Sequence, residues 1–171
     1  MTPVDGASFR RAAGRFPAGI VVVSTSLDGS GHAMTVSAFT SVSLEPPLVL
    51  FCAEKIARFH DAVLEAGFWA VSMLDEESEK AARWLAMRGR PLQGQLDTIA
   101  HRPGPVTGAP ILDASLAAME CRTTAVHDGG DHSIVVGEVL AVSEPVNEDG
   151  PGREGSPLVH YAGRYRRLAA D

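Results

Sequence analysis

Between residues 20 and 26 the chain is a run of β-branched side chains, and residues 33–43 alternate apolar positions with Thr and Ser until Pro46-Pro47 ends the pattern. The intervening Asp28-Gly29-Ser30-Gly31 is turn chemistry, so a hairpin is expected here. Residues 48–53 are apolar without interruption, the pattern of a strand buried on both faces, and residues 68–74 predict another strand. Further on, residues 114–127 and 132–143 flank Asp128-Gly129-Gly130-Asp131 and predict a long hairpin.

Helical spacing occurs in three places. Phe9, Ala12, Ala13 and Phe16 follow Ser8, a candidate N-cap, and Pro17 with Gly19 stops that helix. A second helix is predicted over residues 56–65. The third, over 76–88, carries Glu76, Glu77 and Glu79 early and Arg83 and Arg88 late, charges that oppose the helix dipole. Residues 89–110 are punctuated by Gly89, Pro91, Gly94, Pro103, Gly104, Pro105, Gly108 and Pro110 and predict a long irregular excursion of the kind that carries function. Residues 147–157 are polar and expected to be mobile. Roughly six strands in hairpin order with two or three short helices predict a mainly β fold, a β-barrel with helical decoration.

A length of 171 residues is that of one domain, taken here as residues 1–171, and no apolar run approaches the roughly 18 residues that span a bilayer. Fifteen Lys and Arg against 21 Asp and Glu give a net charge of −6, the wrong sign for a nucleic-acid partner. Cys52 and Cys121 lack Cys-x-x-Cys spacing and read as buried, reduced thiols. The first residues lack the basic and apolar regions of a secretory signal, and a cytoplasmic location is expected.

Nucleophile elbows and phosphate loops are absent, and Gly29-Ser30-Gly31-His32-Ala33-Met34 lacks the third glycine of a dinucleotide fingerprint. His127, Asp128, Asp131 and His132 carry metal-ligating atoms, but a solvated turn between strand ends is the preferred reading, and no metal is expected. The stretch Met34-Thr35-Val36-Ser37-Ala38-Phe39-Thr40-Ser41-Val42-Ser43-Leu44 places five hydroxyls in an apolar strand, a surface suited to a polar ring edge or a phosphate.

This stretch, continued by Glu45-Pro46-Pro47, resembles the signature of the flavin reductase family, small NAD(P)H:flavin oxidoreductases with a split β-barrel. Four further segments resemble the family in the same order: 16–23, the Phe68-Trp69-Ala70-Val71-Ser72 strand, Gly130-Asp131-His132, and the closing Pro157-Leu158-Val159-His160-Tyr161-Ala162-Gly163-Arg164-Tyr165. The resemblance implies a Greek-key-like antiparallel split barrel that binds flavin. It implies that Thr35, Val36 and Ser37 meet the flavin ring, that Ser41, Val42, Ser43, Phe51, Cys52 and Ala53 lie along the cofactor, and that Lys55, Ile56, Ala57, Arg58 and Phe59 approach its phosphate. His132, Tyr161 and Arg164 are implied on the nicotinamide side. The family commonly has Ser-x-Thr in the phosphate loop and Asn in the middle strand; Ala57, Phe59 and Ser72 stand at those places here, so fewer hydroxyl contacts to the phosphate are expected, with Lys55, Arg58 and backbone N–H groups available to compensate with charge.

The activity so implied is reduction of free FAD or FMN by NADH or NADPH in a homodimer, with reduced flavin passing to a separate monooxygenase. Hydride moves directly between cofactors, so no catalytic side chain is required. Two alternatives remain at this point, a flavin-retaining electron carrier and a small flavin-dependent oxidase whose pocket the 89–110 excursion would form.

Overall fold

The computed structural model describes residues 3–91, 93–144, 146–147, 150–151 and 155–168. In chain order the elements are α1 (Gly6–Ala13), β1 (Ala18–Gly19), β2 (Val21–Leu27), β3 (Ser30–Val36), β4 (Phe39–Leu44), β5 (Pro47–Glu54), α2 (Arg58–Ala66), β6 (Phe68–Leu74), a 3₁₀ turn (Glu76–Ser78) and α3 (Glu79–Ala86). Then come β7 (His101–Pro103), β8 (Pro110–Leu112), β9 (Ser115–Gly129), β10 (His132–Ser143), β11 (Val146–Asn147), β12 (Gly150–Pro151), β13 (Val159–Tyr161) and β14 (Arg164–Arg166).

Seven strands form one antiparallel sheet in the order β3-β2-β6-β9-β10-β5-β4. Neighbours in sequence, β3 and β4 hold opposite edges, so Ser37 and Ala38 alone carry the chain from one edge to the other. The sheet must therefore curl until its edges meet. Among the described residues β3 is paired only with β2 and β4 only with β5, which leaves a seam without a ladder, as a split barrel has. The connection from β5 to β6 runs through α2 across one end, which makes the topology Greek-key-like. Gly67, left-handed at φ 67°, ends α2 and turns the chain into β6.

Inside the barrel, Val21, Val23, Phe51, Trp69, Val71 and Val135 pack together, and Phe59 and Val63 of α2 close the end. Trp69 meets Phe51 edge-on with ring centroids 4.9 Å apart, and its indole N–H donates to Thr123 Oγ1 at 3.1 Å. A second layer lies outside β2 and β3, where Val22, Ala33 and Leu74 pack against Ala82 and Leu85 of α3 and against Leu96, Leu112 and Leu158. Strands buried on both faces are consequently β2 and its neighbour β6. Residues 48–53, expected in that role, instead alternate: Val49, Phe51 and Ala53 face the core while Leu48, Leu50 and Cys52 are half-buried.

Other expectations are corrected locally. Residues 33–43 form two strands broken at Ser37-Ala38, because the sheet turns its corner there. The first helix is capped by Asp5, whose carboxylate accepts from the N–H groups of Ala7 and Ser8 at 3.0 and 2.9 Å; Ser8 lies inside the helix. The 76–88 helix begins with the 3₁₀ turn, where Asp75 accepts from the Ser78 N–H and hydroxyl, and ends at Ala86. The 89–110 excursion contributes Leu96 and Ala109 to the core and includes β7, which pairs with β8. The stretch 147–157, expected to be mobile, falls largely outside the described residues. No helix among them is long and apolar enough to cross a membrane.

Candidate active site

A cavity of about 450 Å³ opens where β3 and the Ser37-Ala38 corner face the end of α3, within the roughly 300–1,000 Å³ typical of small-molecule sites. Its floor is β3 from His32 to Val36 and the corner. One wall is Cys52 and Glu54 of β5 with Ile56 to Phe59 at the start of α2; the other is Leu85 to Arg90 with Gln95; His132 of β10 stands at the rim.

The second wall exists because α3 stops. Met87 is extended (φ −70°, ψ 127°), Gly89 is left-handed (φ 76°), and the chain folds back over β3. Arg90 holds it there. Its guanidinium donates to the carbonyl of Ala33, to the Met87 carbonyl at 2.9 Å, and to Gln95 Oε1 at 3.2 and 3.3 Å. Gln95 is in turn fixed by Nε2 on the Gly31 carbonyl at 3.2 Å and by its own carbonyl, which accepts from Trp84 Nε1 at 2.8 Å. Burial, aided by the neighbouring Arg58 charge, lowers the Arg90 pKa from its ordinary value.

Two bridges join the walls. Arg88 Nη2 lies 2.6 Å from Glu54 Oε1, and Arg58 donates to the Arg90 carbonyl. Three guanidiniums against one carboxylate make the cavity cationic in a chain of net charge −6, so an anionic ligand is drawn to it. His32 adds an unmet need: its Nδ1 is buried without a hydrogen-bond partner among the described residues, and burial pushes its pKa down, which favours the neutral imidazole.

Of the residues expected at the cofactor, Thr35, Val36, Ser37, Cys52, Ala57, Arg58, Phe59 and His132 line this cavity, as does Ile56. The Thr35 hydroxyl already donates to the Ala82 carbonyl at 2.7 Å and ties β3 to α3. Phe51 and Ala53 turn their side chains into the core, as does most of the Phe59 ring, because β5 alternates and α2 plugs the barrel end. Ser41, Val42 and Ser43 lie on β4, outside the cavity. Lys55 points away to the β9–β10 turn, pairing with Asp128 and donating to the Gly130 carbonyl at 2.7 Å.

Tyr161 and Arg164 also lie apart from the cavity, in the small β1-β13-β14 sheet. That sheet docks through Tyr165, which sits under the Arg83 guanidinium at 4.9 Å. At the β9–β10 turn Gly130 adopts φ 79°, as a two-residue hairpin loop requires, and this sets His132 at the first position of β10. His132 Nδ1 is 2.7 Å from Asp131 Oδ1, so Nε2 is the nitrogen left for another partner. The same hydrogen bond holds the Asp131 carboxyl below the usual range. Asp128 is held low by Lys55, and no cluster of three or more metal-ligating side chains occurs among the described residues.

The lining residues that sequence reasoning missed include His32, Met34, Glu54 and the Met87–Arg90 wall with Gln95. A signal existed in Arg88-Gly89-Arg90, two cations about a glycine just past a helix end.

The chain belongs to the family described as the flavin reductase like domain, which matches residues 13–169. The NADH-dependent FAD reductase of Streptomyces globisporus is 39% identical over 170 residues, covering 99% of this chain and 89% of that one. The reductase component of 4-hydroxyphenylacetate 3-monooxygenase from Thermus thermophilus is 40% identical over 161 residues, 94% of this chain and 95% of the relative. Among solved structures, a Streptomyces globisporus NADH:FAD oxidoreductase in complex with NAD and FAD fragments superposes with a TM-score of 0.87 at 35% identity, covering 100% of this chain and 99% of that one.

Proposed function

We propose that the protein uses NAD(P)H to reduce free FAD or FMN, delivering reduced flavin to a separate monooxygenase component. The observation that carries this reading is the cavity itself, which combines a strand floor with guanidiniums at one side and a histidine at the rim. NADH-dependent FAD and FMN reductases among the relatives support it, as does the reductase component of a two-component monooxygenase.

The residues present fit a flavin nucleotide. Met34 and Ile56 offer apolar contact to a ring system, Arg58 and Arg88 offer forked donors to phosphate, and His32, whose Nδ1 has no hydrogen-bond partner among the described residues, lines the same cavity. Flavin, when bound, supplies the acceptor for a hydride from nicotinamide. The chain would contribute position and a drier surrounding: β3 and the corner would hold the flavin from one side, the Met87–Arg90 wall would shield it from the other, and His132, oriented by Asp131, would have Nε2 available to the nicotinamide. Ser41, Val42, Ser43, Lys55, Tyr161 and Arg164 have no part in this cavity within one chain.

We also infer a homodimer in the cytoplasm. Helix α1 buries no residue, Phe9 and Phe16 are 67% and 79% exposed, and Leu44 lies bare on the β4 edge, all of which a second copy would cover. Two free cysteines suit a reducing compartment.

The test is NADH oxidation by the purified protein with and without added FAD or FMN. Colourless protein that consumes NADH only when flavin is added supports the reductase. Stoichiometric yellow protein without turnover of added flavin would establish a carrier instead, and oxygen uptake without NADH on another substrate an oxidase. Light scattering at micromolar concentration decides the dimer.

A further inference from the structure

We propose that Glu54 is a built-in competitor of the flavin phosphate for Arg88, so that the site loads and releases flavin by exchanging one anion for another. The proposal rests on the reading of the cavity as a flavin nucleotide site.

The three guanidiniums in the cavity are in different situations. Arg90 has its fork occupied by two carbonyls and Gln95 Oε1 and acts as the post of the wall. Arg58 gives one amino group to the Arg90 carbonyl and keeps its remaining donors. Arg88 is different: its side chain is 76% exposed, it sits on the return just past α3, and its partner is a charged group on the opposite wall. That partner is placed by the sheet. Glu54 is the last residue of β5, in register with His132 of β10, and its side chain is only 27% exposed. The carboxylate therefore stands between the cationic side of the cavity and the histidine at its rim.

An exposed ion pair of this kind is weak, whereas a guanidinium binds phosphate through charge-assisted, forked hydrogen bonds. A phosphate entering the cavity can therefore take Arg88 from Glu54. The displaced carboxylate remains in the cavity, where its charge opposes the dianion that replaced it. When the nucleotide leaves, Glu54 recaptures Arg88. The consequence is a site that pays a standing penalty on phosphate-bearing ligands, weakening retention of a flavin that has to diffuse away. A flavin without phosphate escapes that penalty.

The experiment titrates riboflavin, FMN and FAD onto the full chain and onto Glu54→Gln, Glu54→Ala, Arg88→Gln and the Glu54→Gln/Arg88→Gln double variant, with stopped-flow release rates and thermal melts alongside. Removing the carboxylate is expected to tighten FMN and FAD by about 3–10-fold and to slow their release to match, with riboflavin within about twofold. Arg88→Gln is expected to weaken FMN and FAD by a similar factor and leave riboflavin alone. In the Arg88→Gln background the loss of the Glu54 carboxylate should tighten FMN and FAD by less than it does in the unaltered chain, since only its direct repulsion of the phosphate is left to relieve. Unchanged FMN and FAD affinity in both Glu54 variants, or an equal change for riboflavin, would overturn the latch while leaving the flavin site standing. If one Glu54 variant fails to fold, the other and Arg88→Gln carry the comparison, and phosphate-independent loss in Arg88→Gln also overturns it. Absence of binding of all three flavins to the unaltered protein would bring down the flavin reading and the latch together.

Discussion

Gly137 lies flat against the indole of Trp69: a Cβ built at 137 would stand 2.3 Å from Trp69 Cζ2. Trp69 cannot retreat, because it is fully buried against Phe51 and its N–H is held by Thr123. Gly137→Ala is expected to destabilise by about 1–3 kcal/mol through overpacking, and a chain of this size loses about 2–4 °C of Tm per kcal/mol. Thermal melting checks it; an unaltered Tm would mean that β10 can shift away from the ring.

Arg90→Lys should loosen the cavity wall. A lysine keeps the charge but cannot reproduce the fork that reaches Ala33, Met87 and Gln95 together. Each buried acceptor left unmet costs about 1–3 kcal/mol. Faster hydrogen exchange around residues 87–90 and a flavin KM raised roughly tenfold, about 1.4 kcal/mol, are the expected readouts. Normal exchange with a normal KM would show that the wall stands without its post.

His132→Ala should raise the KM for NADH and lower kcat/KM by roughly tenfold to a hundredfold, about 1.4–2.7 kcal/mol, with flavin affinity within twofold. Because the hydrogen bond from His132 lowers the Asp131 pKa, the stability from that pair is complete above the ordinary carboxylate value of about 3.9 and is lost as pH falls through the lower folded value. Melting curves of Asp131→Asn and the unaltered chain should therefore differ by a constant amount at neutral pH and converge under acid. Steady-state kinetics with an unchanged NADH KM would move the nicotinamide elsewhere.

The cysteines should differ in reactivity. Burial, reinforced by the Glu120 charge, pushes the Cys121 thiol up to about 12, so almost none is thiolate at pH 8. Cys52 is also raised by burial but lies on the cavity wall. Thiol labelling of the native protein is expected to modify Cys52 slowly, Cys121 only after unfolding, and Cys52 more slowly still with FMN present. Equal labelling of both would contradict the packing around β9.

Much of the barrel was legible in the sequence because strands and turns are local events. The 68–74 strand and the hairpin about Asp128-Gly129-Gly130-Asp131 stand where their patterns put them. The corner was not legible, since the mixed apolar and hydroxyl pattern runs through Val36-Ser37-Ala38-Phe39 without a break and only the tertiary path splits it. Period-two alternation in β5 distinguishes Cys52, on the cavity side, from Phe51 and Ala53 in the core, a distinction that a wholly apolar run conceals. The Arg88–Arg90 wall depends on what Arg90 reaches across the fold, and Ala33 is distant in sequence. Phe9 and Phe16 advertise an apolar face, but nothing among the described residues covers it.

The Ser37-Ala38 corner also has a bearing on how the chain folds. The β2–β3, β4–β5 and β9–β10 pairs can each form from neighbouring residues, whereas joining β2 to β6 and β5 to β10 needs partners far apart in sequence. Such long-range pairing is the slow part of barrel formation. The cavity draws residues from 32 to 132 and so is complete only when the last of these pairings is made. Partly folded chains have hairpins but no pocket, and ligand that binds only the native state stabilises the molecule as a whole. Bound flavin therefore counts fully folded molecules, and a refolding chain should regain its strand spectrum before it regains any capacity to hold the nucleotide.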